Sequence, residues 1–148
     1  MLSKACEYGI RASIIIASES VNGHRLGLAE IAQKIDSPVA FTAKILQKLV
    51  KQNIIHSIKG PGGGFEADTK NLKNLTLMQI VTAIDGDSVF SKCSLGLNEC
   101  SEDKPCPFHH KYKQIKEKLI QSFETTHLEE LLKGYQAGLT FLKISDIV

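Results

Sequence analysis

The spacing of apolar residues predicts a chain that is mainly α-helical. Residues 2–20 form the first predicted helix, and a second, short helix begins near Leu28. A third helix covers about residues 39–52, with Ser37 as its predicted N-cap and Pro38 in its first turn. The apolar positions that indicate these three helices are Ile10, Ile14, Ala17, Leu28, Ile31, Ala32, Ile35, Ala43, Leu46, Leu49 and Val50.

The pattern changes after the third helix, where it predicts a β-hairpin. Residues 53–58 are rich in β-branched side chains, and residues 65–67 can return as a second strand. The glycine-rich run 60–64 lies between them and predicts a tight turn. Two helices joined by a short turn and followed by a hairpin are typical of a winged helix-turn-helix.

The second half of the chain is predicted to hold three more helices around a long loop. Thr76 and Gln79 form a capping box that begins one helix, and Gly86 ends it. Residues 88–107 lack any periodicity and are predicted to be a loop. A long helix begins at His109, with Tyr112, Ile115, Leu119 and Phe123 on one stripe. A second capping box, Thr126 to Glu129, predicts a last helix that ends before Gly134.

Charge divides the chain at the same place as the pattern. Residues 1–75 hold ten Lys and Arg against six Asp and Glu, whereas residues 76–148 hold eight against ten. A basic half joined to an acidic half is typical of a DNA-binding domain, here 1–75, attached to a second functional region, 76–148. No stretch is apolar enough to span a membrane, and no signal peptide is recognised, so we expect a cytoplasmic protein.

The third helix and the hairpin offer the candidate DNA contacts. A recognition helix directs polar side chains into the major groove while its other face packs on the core, and a glycine-rich wing can approach the duplex closely. The sequence supports no competing enzyme prediction, because it has no visible nucleophile and base set and no phosphate loop before a helix. The candidate DNA-binding residues are Thr42, Lys44, Gln47, Lys48, Lys51, Lys59, Gly62 and Gly63.

Three of the four cysteines lie together in the predicted loop. Cys93, Cys100 and Cys106 are separated by six and five residues, which differs from the paired CxxC spacing of zinc ribbons. Three thiolates on a loop can hold an iron–sulfur cluster if a fourth ligand is supplied. His109 and Glu7 are the candidates for that ligand. Structural zinc and a thiol–disulfide switch are the alternatives for the three cysteines.

Several stretches, taken in order, make the chain resemble the Rrf2 family of bacterial transcription regulators. They cover the chain to about residue 133, and they are MLSKACEYGIRA, LAEIAQKID, AKILQKLVKQNIIHSIKGPGGGF, LTLMQIVTAIDG and PCPFHH. The resemblance implies a homodimer, built on the helix after the cysteine loop, that binds a roughly palindromic operator. It also implies that Cys93, Cys100 and Cys106 are cluster ligands.

The resemblance implies two different clusters, because branches of the family differ in the fourth ligand. His109 matches the histidine that completes a 2Fe–2S cluster in IscR-like members, and Glu7 matches the acidic residue that completes a 4Fe–4S cluster across the dimer in NsrR-like members. The expected function is a DNA-binding regulator that senses iron, redox state or nitric oxide. The alternatives are a thiol- or zinc-based regulator and a cluster-carrying adaptor that does not bind DNA.

Overall fold

The computed structural model describes residues 2–143, and over that range the chain is mainly helical with one two-stranded sheet. No helix in this range is both long and apolar enough to cross a membrane. A 3₁₀ turn covers Asp87–Phe90 and precedes the cysteine loop. The elements are α1 (Lys4–Val21), α2 (Leu28–Lys34), α3 (Val39–Lys51), β1 (His56–Ile58), β2 (Gly64–Glu66), α4 (Leu77–Asp85), α5 (His109–Thr125) and α6 (Leu128–Gln136).

The hydrophobic core is built around α1, which packs against α3, α4 and α6. One continuous cluster of buried side chains includes Ile16 of α1, Leu46 of α3, Ile80 of α4 and Leu132 of α6. Both predicted halves of the chain therefore contribute to a single core. The boundary at residue 75 stays a prediction about function and does not mark a gap in the packing.

The helix ends confirm one predicted cap and correct two others. Thr76 and Gln79 form the predicted capping box, and Gly86 follows α4 at φ 77°, which glycine adopts without strain. The N-cap of α3 is Pro38 and not Ser37. The predicted box at Thr126 is wrong, because His127 is the N-cap of α6 and makes no side-chain capping bond. The last helix also continues past Gly134 and ends at Gln136.

The wing is an antiparallel hairpin in which His56 pairs with Glu66 and Ile58 pairs with Gly64. The first strand is shorter than the predicted 53–58, and the second begins one residue earlier than the predicted 65–67. Leu26 adds an isolated bridge to Phe65 that the sequence pattern did not indicate. The backbone N–H groups of Leu26 and Phe65 each donate to the other residue's carbonyl, at 3.2 and 2.8 Å. This bridge fixes the hairpin to the segment that connects α1 with α2.

Candidate nucleic-acid interface and cysteine loop

The outer face of α3 carries most of the polar residues predicted to contact DNA. Lys44, Gln47 and Lys51 are exposed there. A cleft of about 380 Å³ separates the end of this face from the wing, and Gln47, Lys51 and Phe65 contribute to its walls. The exposed polar residues of α3 therefore lie beside the wing, and a helix with its polar face exposed next to a wing is suited to a duplex groove.

Thr42 was predicted to contact DNA, and this prediction is wrong. Its side chain is fully buried. The hydroxyl donates to the Pro38 carbonyl at 2.8 Å and also contacts the Ser37 hydroxyl. The physical reason is the rotation of α3, because Ile45 enters the core together with Leu46 and Leu49 and turns Thr42 inward.

Lys48 was also predicted to contact DNA, but its ammonium group has an intramolecular partner. Nζ donates to the Ile84 carbonyl at 3.0 Å, in the last turn of α4. A cation at a helix C-terminus satisfies a carbonyl that lacks a partner in the helix and interacts favourably with the helix dipole. Lys48 therefore links α3 to the end of α4, immediately before the 3₁₀ turn.

Val39 and Ala40, which were not among the predicted contacts, are exposed in the first turn of α3. Val39 is 50% exposed. Exposed apolar side chains at the start of a candidate recognition helix can contact the 5-methyl group of thymine in the major groove. Their position directly after Pro38, at the start of the helix, is the sequence feature that indicates them, whereas the predicted contacts on α3 were all polar.

Different constraints favour glycine at the two wing positions Gly62 and Gly63. Gly62 is exposed at φ 72°, and open space surrounds the position of an added Cβ. At Gly63 an added Cβ would lie 2.2 Å from the Ile58 carbonyl oxygen, so the hairpin itself excludes any larger residue. Lys59 is exposed at the turn. Arg25 supports the wing from beside it, because its guanidinium donates to Glu66 at 2.7 Å and to the Gly62 carbonyl at 3.2 Å.

The cysteine loop brings the first and third cysteines together. Cys93 is buried, and its sulfur accepts a hydrogen bond from the Leu95 backbone N–H at 3.4 Å. The pKa of Cys93 is lowered, first by hydrogen bonds from the backbone N–H groups of Leu95 and Leu97 and then by the Cys106 thiol. These N–H groups favour the thiolate, which is the form that binds metals.

The second cysteine lies against His109, the first residue of α5. His109 is only 2% exposed, and its Nδ1 is 3.4 Å from the Cys100 sulfur. On the other side of the ring, Nε2 lies 3.6 Å from a Glu102 carboxylate oxygen and has no hydrogen-bond partner. Glu102 in turn forms an ion pair with Lys113 of α5, which holds the pKa of that carboxyl below its usual value.

The donor chemistry of this loop fits an iron–sulfur cluster, although the four donors form two pairs and not one cage. Three thiols and one buried imidazole are the ligand types that such clusters use. Cys93 interacts with Cys106, and Cys100 interacts with His109. Within residues 2–143, no three His, Cys, Asp or Glu residues are already arranged to hold a metal ion. The loop must therefore rearrange for all four side chains to bind one group.

Glu7 lies on α1 and is exposed, and it forms an ion pair with Lys4 at 3.1 Å. The prediction that Glu7 of a partner chain could reach the cysteine loop stays a prediction. Its neighbour Cys6 is fully buried, and burial, aided by the nearby charges of Asp85 and Glu7, raises the pKa of Cys6 to about 12. Cys6 is thus a core residue with an unreactive thiol.

Comparison with known proteins identifies a matching family and several similar proteins. A family model named Rrf2, described as an iron-dependent transcriptional regulator, matches residues 2–134. A protein of Aquifex aeolicus (strain VF5), which carries the name of an HTH-type transcriptional regulator, is 32% identical over 124 residues. That match covers 82% of this chain and 85% of the relative.

Two solved structures are similar in fold. CymR, the global cysteine regulator of B. subtilis, superposes with a TM-score of 0.73 at 20% identity and covers 90% of this chain and 96% of that one. IscR of T. potens superposes with a TM-score of 0.71 at 14% identity, over 95% and 91% of the two chains. At these identities the likeness establishes the fold alone, which is the predicted winged helix.

Proposed function

Because the chain belongs to the Rrf2 family of transcriptional regulators, we propose that it is a dimeric regulator whose binding to a palindromic operator depends on an iron–sulfur cluster. Cys93, Cys100, Cys106 and His109 would hold the cluster. The observation that carries this proposal is the buried imidazole of His109, whose Nδ1 lies 3.4 Å from the Cys100 sulfur inside a loop of cysteines. Like its relatives, the chain is a regulator and not an enzyme.

The DNA surface follows from the exposed residues of α3 and the wing. Val39, Ala40, Lys44 and Gln47 would face base edges, and Lys51, Lys59 and the Gly62 backbone would contact phosphates or the minor groove. A two-fold symmetric dimer would place two such surfaces about one helical turn, roughly 34 Å, apart. A palindromic operator is the DNA counterpart of that symmetry.

His109 is favoured over Glu7 as the fourth ligand because it lies beside a cysteine in its own chain. A cluster so held would supply one-electron redox chemistry and ligands that a signal can displace, the signal being iron shortage, an oxidant or nitric oxide. The imidazole is buried at the start of α5, so any change in its ligation acts directly on that helix. Ligation through the partner's Glu7 is the competing outcome.

The loop connects to the DNA surface through α4. The 3₁₀ turn Asp87–Phe90 follows α4 directly, and Lys48 of α3 donates to Ile84 in the last turn of α4. Rearrangement of the cysteine loop can therefore shift the end of α4, and with it α3. A small rotation of α3 in each protomer would change the spacing between the two recognition helices.

The test compares DNA affinity of the anaerobically reconstituted protein with that of the apo protein at one fixed salt concentration. Operator DNA is first selected from a random library with each form, and affinity is then measured for both on each selected sequence. We expect the two forms to differ at least tenfold on one sequence. Equal affinities on every sequence would contradict regulation by the cluster, and absence of any selected sequence would contradict DNA binding.

A thiol switch is a second candidate function, and the contact between Cys93 and Cys106 favours it. Both sulfurs lie in one loop, and hydrogen bonds lower the pKa of Cys93. Hydrogen peroxide would oxidise these two thiols to one disulfide. The thiols would give up two protons and two electrons, and the peroxide would be reduced to two water molecules. Iron and sulfide analysis of anaerobically purified protein separates the two candidates, since a thiol switch needs neither element.

A further inference from the structure

The environment of His109 contains one polar atom without a partner. The ring is 2% exposed, and Nε2 makes no hydrogen bond. The nearest acceptor is a Glu102 oxygen at 3.6 Å, slightly too long for a hydrogen bond. A buried N–H without an acceptor is costly, so this short gap calls for an explanation.

The two faces of the ring differ in the chemistry that they meet. Nδ1 faces the Cys100 sulfur, whereas Nε2 faces a carboxylate. An ionised carboxylate can only accept hydrogen bonds, so the ring proton belongs on Nε2. Nδ1 is then left with its lone pair directed towards the cysteine side of the loop, as a metal ligand requires.

Glu102 is itself held by the helix that begins with His109. Its second oxygen pairs with Lys113, one turn further along α5, and Lys113 also lies 4.0 Å from Glu117. Residue 102 therefore belongs to the loop by sequence but is anchored to α5 by charge. Carboxylates that accept a hydrogen bond from a ligating histidine fix its orientation and make it a better donor.

We propose that Glu102 is a positioning residue that directs Nδ1 of His109 towards the cysteines and accepts a hydrogen bond from the Nε2–H group when the site is filled. This inference rests on the proposed function, since it concerns the same site. The Nε2 to oxygen distance would then shorten by roughly 0.7 Å to an ordinary hydrogen-bond length of about 2.9 Å. The buried Nε2–H group would gain its acceptor only in the cluster-bound protein. Cluster binding would therefore also order the loop around Glu102.

The experiment uses the full chain, reconstituted anaerobically with iron and sulfide, as wild type, Glu102→Gln and Asp103→Asn. Asp103 is exposed in the same loop, and its substitution removes the same charge beside the same site. Three readouts are compared: the reduction potential, the histidine nitrogen couplings in pulsed EPR of the reduced protein, and the rate of cluster loss to a chelator. Loss from an unsupported histidine should be about 10- to 100-fold faster.

We expect Glu102→Gln to alter the nitrogen couplings, accelerate cluster loss and raise the reduction potential by more than Asp103→Asn does. Asp103→Asn should match wild type in the couplings and in the rate of cluster loss, and its shift in potential measures the effect of the lost charge alone. A Glu102→Gln protein that cannot be distinguished from Asp103→Asn would overturn this inference and leave the proposed function intact. A cluster without a histidine nitrogen signal in wild type would overturn it as well and favour Glu7. Wild-type protein that takes up no iron and sulfide would overturn the proposed function and this inference with it.

Discussion

Thr42 and Val39 belong to the same turn of α3 but have opposite surroundings. The Thr42 hydroxyl is buried and donates to the Pro38 carbonyl, whereas the Val39 side chain is half exposed with no polar group to satisfy. One residue stabilises the start of the helix and the other is available to a partner. Two predictions separate these roles.

Thr42→Val should destabilise the protein without weakening DNA binding. The substitution keeps the shape of the side chain and removes a buried hydroxyl, so the free energy of unfolding should fall by about 1 kcal/mol. Urea denaturation measures this change, and affinity for selected operator DNA should stay within twofold of wild type. Lys44→Gln is the matched control with the opposite expectation, since Lys44 is exposed. A large loss of affinity in Thr42→Val would restore Thr42 to the DNA surface.

Val39 and Ala40 should recognise thymine methyl groups. Replacing thymine by deoxyuridine in the selected half-sites removes only the methyl group, and each lost contact should cost about 0.8 kcal/mol, roughly a fourfold loss of affinity. The same replacement outside the half-sites is the control. Val39→Ser should lose the part of this discrimination that Val39 contributes and keep the part that Ala40 contributes. Wild-type protein that ignores every replacement would show that this apolar surface does not read the DNA.

The sequence pattern predicted the chemical role of individual residues better than whether their side chains face the core or the solvent. Lys44, Gln47 and Lys51 were correctly assigned to the surface, but Thr42 was not, because a rotation of one position along α3 exchanges Ala43 for Ile45 in the core. Apolar periodicity alone permits either rotation when small and polar residues lie between the large ones. The pairing of His109 with Cys100 was likewise invisible, since it depends on the path of an aperiodic loop.

Among the structural elements, α3 and α4 are joined by a charged contact outside the core. Lys48 and Lys51 are both exposed lysines near the end of α3, but within residues 2–143 only Lys48 donates to a carbonyl of α4. We therefore expect Lys48 to couple α3 to α4 and Lys51 to contact the DNA backbone. The two lysines form a natural pair for comparison.

Lys48→Met should reduce the difference in operator affinity between loaded and apo protein, because it removes the contact to Ile84 while keeping the aliphatic stem. Lys51→Met should weaken both forms equally and lower the slope of log affinity against log salt by about two units, one for each protomer of the proposed dimer. Salt titrations of both variants in both forms measure these effects. If Lys48→Met lowers the salt slope and preserves the difference between forms, Lys48 contacts phosphate after all.

The elements themselves were predictable where their ends carry local signals. The Thr76 and Gln79 capping box and Gly86 fixed both ends of α4 correctly, since each signal acts within a few residues. The bridge between Leu26 and Phe65 was missed because it joins segments far apart in sequence. The Thr126 motif failed for a related reason: the Thr126 carbonyl accepts a long-range hydrogen bond from Leu77, and the cap moves to His127.

At the scale of the whole molecule, α5 extends from the core with an apolar stripe that is only partly covered. Phe123 is buried against the rest of the protein, whereas Ile115 is 58% exposed. Tyr112 and Leu119 are half-buried on the same helix. An exposed isoleucine on a predicted dimerisation helix is the residue that a second copy would cover.

Ile115→Glu should convert the proposed dimer to a monomer, because each protomer would have to bury an unpaired carboxylate in an apolar interface. Sedimentation velocity measures the change, with Ile115→Leu as the control that keeps the apolar surface. Operator affinity should fall by about 100-fold once two half-sites can no longer be bound together. A dimeric Ile115→Glu protein would exclude this part of α5 from the interface.

The proposed donors Cys93, Cys100, Cys106 and His109 all come from one short segment of one chain. Each protomer could therefore bind its cluster before it dimerises, and one protomer of a dimer could hold a cluster while the other does not. When iron is limiting we expect a mixture of dimers with no cluster, one cluster and two clusters, in proportions set by simple binomial statistics. Operators that bind a dimer with one cluster and operators that require two clusters would then respond at different iron concentrations. One regulator could in this way set a different iron threshold for each target gene.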